Sequence, residues 1–302
     1  MHTQLISSIG SGNAKSLARA ITIVENELEG FEELLQSLPT NHSIPIIGIT
    51  GPPGAGKSTL VDALIGRITA EGKKVAVICV DPSSPFNLGA VLGDRIRMSN
   101  WYTNPGVYIR SLATRGSLGG LHPKIIEITE ILKAASFDYI IVETVGVGQS
   151  EIEIAGLADA TVVVVVPEGG DEVQTMKAGL MEIADIFVVN KSDRPGADQY
   201  VKNLRLMLAP AFPAHKEEIS IVKCIATSGE GIPELWSAIR QYLSSPHFNQ
   251  RKSWLLAEKA YHLVAKKRMK DINRTALRET IDEQLRRGQF NLYAFIRQLE
   301  RN

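Results

Sequence analysis

The string Gly51-Pro52-Pro53-Gly54-Ala55-Gly56-Lys57-Ser58, followed by Thr59, has the residue types and spacing of a phosphate cradle, GxxxxGK[ST]. Its glycines let successive backbone N–H groups turn inward around phosphate oxygens. A helix opening at Lys57 adds the positive end of its dipole. Lys57 supplies a point charge to the β- and γ-phosphates, and the Ser58 hydroxyl is a Mg²⁺ ligand. A second constellation, Asn190-Lys191-Ser192-Asp193, follows an apolar run and suits guanine. The Asp193 carboxylate can accept from both guanine N1–H and the exocyclic N2 amine, and adenine offers neither donor there. An unpaired buried carboxylate would cost a few kcal/mol, on the order of 10²-fold in affinity. Lys191 would lay its stem along the base. Ala226, opening Ala-Thr-Ser-Gly-Glu-Gly, stands where a second base-contacting loop would come, with a role for its backbone only.

Three acids could form a metal side. Asp81 and Glu143 each end a short apolar run, where open α/β sheets place ligands. Asp94 lies in a long intervening segment. Ser58, Asp81, Asp94 and Glu143 are the expected metal set, and Gly146 would let its N–H approach the γ-phosphate. Val147 follows Gly146 where many nucleotide hydrolases carry a water-orienting Gln, so hydrolysis by the chain alone is expected to be slow. A partner or a moving loop would then complete the site. The segment 167–177, with Asp171, Glu172, Gln174 and Lys177, is one candidate. Arg97, Arg110 and Arg115 could bring charge to the phosphates or could be structural arginines.

These residues need a sheet to gather them. Ile44–Thr50, Val75–Val80, Val107–Ile109, Tyr139–Val142, Thr161–Val166, Ile186–Val189 and Ile219–Ile225 are short, β-branched and apolar on both faces. Strands covered by helices on both sides read this way. Alternation with helical stretches predicts an α/β fold, a doubly wound, mainly parallel sheet. Residues 14–38 read as helical, with Leu17, Ala20, Ile21 and Val24 at helical spacing and Leu34 and Leu35 after Gly30, and Pro39 closes the segment. Ile232–Leu243 reads as a helix with Pro233 in its first turn. Beyond Ser245-Pro246 only helical spacing remains: Trp254, Ala257, Tyr261 and Val264, then Leu277, Ile281 and Leu285. The expected divisions are a helical extension 1–40, a nucleotide domain 41–246 and a helical arm 247–302.

Composition limits the function classes. The 302 residues carry 33 basic and 33 acidic side chains, 44 % hydrophobic and 22 % charged residues. Wholesale disorder is excluded. A zero net charge argues against a nucleic-acid binder with a uniform basic field. The zero is unevenly spread: residues 251–302 hold 13 basic and 6 acidic side chains, the rest 20 and 27. No apolar stretch reaches the roughly 18 residues of a membrane span. Cys79 and Cys224 are isolated and read as core residues of a protein in the reducing cytosol. The six histidines lack ligand spacing and read as structural or surface groups.

Together these strings identify a resemblance to the MeaB/ArgK family of GTPases, in the SIMIBI class of P-loop proteins. The human methylmalonic aciduria type A protein is a relative. The matching strings are LARAITIVEN (17–26), GITGPPGAGKSTL (48–60), VAVICVDPSS (75–84), LGDRIRM (92–98), RGSLGGL (115–121), ETVGVGQSE (143–151), GDEVQTMKAGLME (170–182) and NKSD (190–193). The resemblance implies a cytoplasmic homodimer that binds GTP and Mg²⁺. It implies a chaperone that assists adenosylcobalamin-dependent methylmalonyl-CoA mutase, or a related acyl-CoA mutase, in cofactor loading, protection and reactivation. Neither nucleic acid nor membrane is an expected partner. It assigns catalytic roles to Lys57, Asp94, Glu143 and Lys177, with Gln174 and Lys177 in a loop that responds to the mutase. The arm after residue 250 would form the dimer. Departures include Leu88 before Gly89, Arg95-Ile96 after Asp94, and Glu168 after Pro167; they leave room for another mutase as client. Two other readings stand beside it: a metal-inserting GTPase, whose relatives carry His- or Cys-rich sites, and a small-molecule kinase, which would need an acceptor pocket.

Overall fold

Seven short apolar runs become seven strands: β1 (Ile46–Thr50), β2 (Val75–Asp81), β3 (Val107–Ala113), β4 (Tyr139–Glu143), β5 (Ala160–Val165), β6 (Ile186–Asn190) and β7 (Ser220–Cys224). In this computed structural model the described residues are 2–39, 44–81, 98–115, 121–146, 150–167, 178–208, 219–245, 249–288 and 290–299. Every strand pairing is parallel, in the order β3-β2-β4-β1-β5-β6-β7. β1, β2, β5 and β6 are buried throughout, as the two-faced apolar runs require. Strand order reverses at β1, so the crevice for a ligand opens at its carboxyl end.

The helices among the described residues are α1 (His2–Gly10), α2 (Ala14–Glu25), α3 (Phe31–Gln36), α4 (Lys57–Ala70), α5 (Ile125–Lys133), α6 (Ser150–Leu157), α7 (Ala178–Ile183), α8 (Ala197–Leu208), α9 (Ile232–Ser244), α10 (Gln250–Arg268), α11 (Arg274–Arg286) and α12 (Leu292–Leu299). Leu60, Leu64 and Ile68 of α4 join Leu235, Trp236 and Ile239 of α9 over Ile47, Ile49, Val77 and Val164 in one buried cluster. On the opposite face α6 lies against β1. A β-carbon on Gly48 would come within 2.7 Å of Ile154, so the absence of a side chain sets that approach.

The amino-terminal edge of the sheet is held by a repeated aspartate clip. Asp138, Asp159 and Asp185 stand immediately before β4, β5 and β6. Their Oδ2 atoms accept from Lys74 N (2.8 Å), Ile46 N (2.8 Å) and Thr161 N (2.7 Å). Each aspartate N–H donates back to the carbonyl of the same residue, at 2.9, 2.8 and 3.0 Å respectively. The second carboxylate oxygens accept from Lys73 Nζ, Lys252 Nζ and Tyr242 OH. Each clip gives a pair of backbone groups at a strand entrance partners they would otherwise seek in water.

Three details differ from the sequence reading. The segment read as helical over 14–38 divides into two helices, because Glu27 (φ 48°) and Gly30 (φ 82°) turn the chain into left-handed backbone between α2 and α3. β1 starts at Ile46 rather than Ile44, since Pro45 has no N–H to give a ladder. β3 runs on to Ala113 through the polar pair Arg110-Ser111, where the apolar pattern had suggested an end.

α2 buries Leu17, Ala20, Ile21 and Val24, and α2 and α3 both contact α5. Lys124 pairs with Glu27 (2.7 Å) and Glu127 (3.6 Å) and lies over the Phe31 ring. The chain forms two compact units, 1–253 and 254–302. In the second, α11 is capped by Asn273, whose side chain accepts from Thr275 N and Ala276 N. Its large apolar side chains include exposed Trp254, Tyr261, Leu285 and Tyr293. Among the described residues no helix is long and apolar enough to cross a membrane.

His122 is buried just before α5, and its Nδ1 accepts from Lys124 N (3.0 Å). Burial lowers its pKa to about 4; Glu25 and Glu127 pull upward, Arg115 and Lys124 downward. The unfolded chain therefore takes up a proton near pH 6.5 that the folded chain refuses until about 4. Stability from this group is complete above pH 6.5 and is lost as pH falls towards 4. Urea denaturation of His122→Gln at pH 7.5 and 5.0 should show an acid loss smaller than wild type by about 2 kcal/mol. Equal acid losses would contradict this.

Candidate functional site

β1 delivers residues 51–56 to the carboxyl edge of the sheet, and α4 begins at Lys57 with Gly56 as its N-cap. Gly56 has φ 89°, and any β-carbon there would collide with the Asn190 side chain. Lys57 is 6 % exposed, and its Nζ donates to Gly51 O (2.9 Å) and Pro52 O (3.1 Å). A phosphate oxygen would compete for this ammonium. Ala55 is buried beneath the loop, while Pro53 and Gly54 are exposed at its rim. Thr59 follows in the first turn of α4.

Beside the cradle, Ser58 Oγ donates to Glu143 Oε1 at 2.7 Å. Glu143 ends β4 and Asp81 ends β2; each is 2 % exposed. β2 and β4 are neighbours, with Cys79 paired to Glu143 in register. A hydroxyl and two buried carboxylates make a hard-oxygen donor set, which fits Mg²⁺ rather than a soft metal. Thr50 and Thr144, at the ends of β1 and β4, share a buried hydroxyl hydrogen bond of 2.9 Å. The sequence reading did not single out this pair; Thr50 closes its apolar run, but Thr144 lies beyond Glu143. Gly146 (φ 87°) sits against Lys57 Nζ, and a β-carbon there would lie 2.5 Å from Gly51 O.

The second constellation is tied to the first by one side chain. Asn190 is 2 % exposed; its Nδ2 donates to Ala55 O (2.8 Å) and its Oδ1 accepts from Ala226 N (3.1 Å). These bonds assign the Asn190 amide to holding the loops together. Lys191 adopts φ 56°, and Ser192 N donates to Cys224 O (3.1 Å), which turns the chain over the end of β7. Asp193 is exposed at the rim. Beneath, burial pushes the Cys224 thiol up to about 12, so it is a core group and not a nucleophile.

Arg110 and Arg115 are not phosphate arginines in this arrangement: both bind Glu25 of α2. The reason is electrostatic, since Glu25 is a poorly exposed carboxylate within reach of both. Asp94, Lys177, Gln174, Asp171, Glu172, Val147 and Arg97 lie outside the described residues.

A family model described as "Methylmalonyl Co-A mutase-associated GTPase MeaB" matches residues 17–280. A putative GTPase of Pyrococcus abyssi is 50 % identical over 246 residues, covering 80 % of this chain and 76 % of that protein. The mouse methylmalonic aciduria type A homolog, mitochondrial, is 34 % identical over 286 residues, covering 83 % and 68 %. Among solved structures, one titled LAO/AO transport system kinase superposes with a TM-score of 0.68 at 27 % identity, covering 99 % of this chain and 96 % of that one.

The Gly146 packing makes a direct prediction. Gly146→Ala would push a methyl into Gly51 O and Lys57 and strain a left-handed backbone. Calorimetric titration should show nucleoside-triphosphate affinity reduced by about tenfold or more, a cost of ~1.4 kcal/mol or above. Wild-type affinity would mean the cradle does not need this approach.

Proposed function

The chain belongs to the methylmalonyl-CoA mutase-associated GTPase family, and we propose that it is a GTP-driven chaperone of an adenosylcobalamin-dependent acyl-CoA mutase, with methylmalonyl-CoA mutase as first candidate. The observation that carries this reading is the joined site: a phosphate cradle and a guanine-type loop tied through Asn190, with the Ser58–Glu143 oxygen pair bonded beside the cradle. Family membership supports a mutase as the partner. The mouse relative is named for methylmalonic aciduria.

The chain's own groups account for binding and charge control. On GTP entry Lys57 exchanges two loop carbonyls for phosphate oxygens, a move within its own reach. The backbone N–H groups of residues 54–59 would surround the phosphates, since Pro52 and Pro53 have none to give. Ser58, Asp81 and Glu143 would hold Mg²⁺ directly or through water, with Asp94 a further proposed ligand. Bound Mg²⁺ would neutralise charge on the β- and γ-phosphates. Gly146 N–H is proposed to meet the γ-phosphate. Asp193 would accept from guanine N1–H and N2, with Lys191 along the base and the Ala226 backbone beside the pocket, its N–H held by Asn190. Lys177 is proposed to join the site when the mutase is bound, which would make hydrolysis slow alone and faster with the partner.

A homodimer in the cytoplasm completes the proposal. The stripe Trp254, Tyr261 and Val264 on α10 is exposed in the single chain, by 59, 70 and 49 % respectively, and an apolar stripe of this kind suits a second copy.

Asp193→Asn should lose GTP and gain xanthosine triphosphate, because the amide offers a donor where the base then has a carbonyl. The preference measured by competition should move by on the order of 10²-fold. Equal wild-type affinity for ATP and GTP would reject the guanine reading. Separately, adding methylmalonyl-CoA mutase should raise GTP turnover severalfold. No response to any acyl-CoA mutase would reject the chaperone role and leave the GTPase intact.

A further inference from the structure

Glu25 is a poorly exposed charged group that the proposed chemistry does not use. It lies at the end of α2, in the amino-terminal extension, with its side chain 12 % exposed. Its Oε2 accepts from Arg110 Nη2 at 2.7 Å and its Oε1 from Arg115 Nη2 at 3.0 Å. The two arginines differ in what they reach. Arg110 lies within β3, in register with Ile78 of β2. Arg115 lies just past the end of β3, with φ 48°, a conformation a β-carbon disfavours. Its guanidinium also donates to Glu25 O (3.1 Å) and Asn26 Oδ1 (3.0 Å). That fork holds a strained residue in place.

The residue before Arg115 touches the metal side. Thr114 N donates to Asp81 O at 3.1 Å, and Ala113 is in register with Asp81. The pairing of β2 with β4 stops at Cys79, so the end that carries Asp81 is held by β3, a strand end that Glu25 anchors through Arg115.

We infer that Glu25 is a positioning residue for the divalent-cation site: through Arg115 and the Thr114 N–H it fixes the strand end that carries Asp81. A residue of the amino-terminal extension thereby sets metal affinity across the domain. The inference rests on the reading of Asp81 as a metal-side carboxylate.

The test is the Mg²⁺ concentration that half-maximally slows release of a fluorescent GDP, with release in EDTA and thermal midpoints measured alongside. Glu25→Gln and Arg115→Gly should each raise the Mg²⁺ midpoint by about fivefold or more, with EDTA release unchanged within about twofold. Arg115→Gly keeps the left-handed backbone accessible while removing the fork. Arg110→Gln cuts the other arm of the same carboxylate, so it should lower the thermal midpoint and leave the Mg²⁺ midpoint at wild type. Thermal losses in Glu25→Gln and Arg115→Gly without a Mg²⁺ shift would overturn the inference, as would an equal Mg²⁺ shift in Arg110→Gln. Asp81→Asn separates the two readings. If it leaves the midpoint unchanged, the metal role of Asp81 fails and takes the inference with it. If Asp81→Asn shifts the midpoint and Glu25→Gln does not, only the positioning role fails.

Discussion

A buried amide joins the two halves of the site. Asn190 donates to Ala55 O in the phosphate cradle and accepts from Ala226 N–H in the loop after β7. Only a side chain with both a donor and an acceptor can do this; an aspartate would face the Ala55 carbonyl with a second acceptor. Loss of either bond leaves a buried polar group unsatisfied, at about 1–3 kcal/mol. The cradle hangs from β1 and the reader from β6, with β5 between them. The amide is therefore the tie that keeps phosphate and base contacts at a fixed separation.

The all-parallel sheet makes such a tie possible and creates a demand at its other edge. Every strand ends on the same side, so Thr50, Asp81, Glu143 and Asn190 gather there without any one being close in sequence. At the opposite edge the strand entrances are closed by Asp138, Asp159 and Asp185. The Asp159 clip also receives Lys252 from the first turn of α10. In that turn Asn249 Nδ2 donates to Ala155 O and Ala158 O, and Arg251 donates to Glu182 O. The start of α10 is thus fastened to the ends of α6 and α7, whose amino ends follow Gly146 and the segment carrying Lys177.

Much of this was legible in the sequence because its signals are local. The cradle's glycine spacing, the seven β-branched runs and the acids at two strand ends each declare themselves within a few residues. Register and long-range pairing do not. Arg110 and Arg115 could be read equally as phosphate or structural arginines until α2 placed Glu25 between them. The second role of Asn190 depends on a loop 36 residues away coming under its carbonyl. The break between α2 and α3 was hidden because Leu17–Val24 and Leu34-Leu35 keep helical spacing, while Glu27, a residue without turn preference, takes the left-handed step. The acids before β4, β5 and β6 looked like ordinary loop aspartates; their shared role appears only when neighbouring strands are paired.

The central claim is that Asn190 fixes the phosphate cradle as well as the base loop. Titration of wild type and Asn190→Ala with inorganic tripolyphosphate, which has no base, tests it most directly. The variant should bind tripolyphosphate about tenfold or more weakly, because the Ala55 carbonyl is released and the loop loses its fixed curl. Unchanged tripolyphosphate affinity, with only GTP weakened, would mean that Asn190 serves the base alone and would contradict the account.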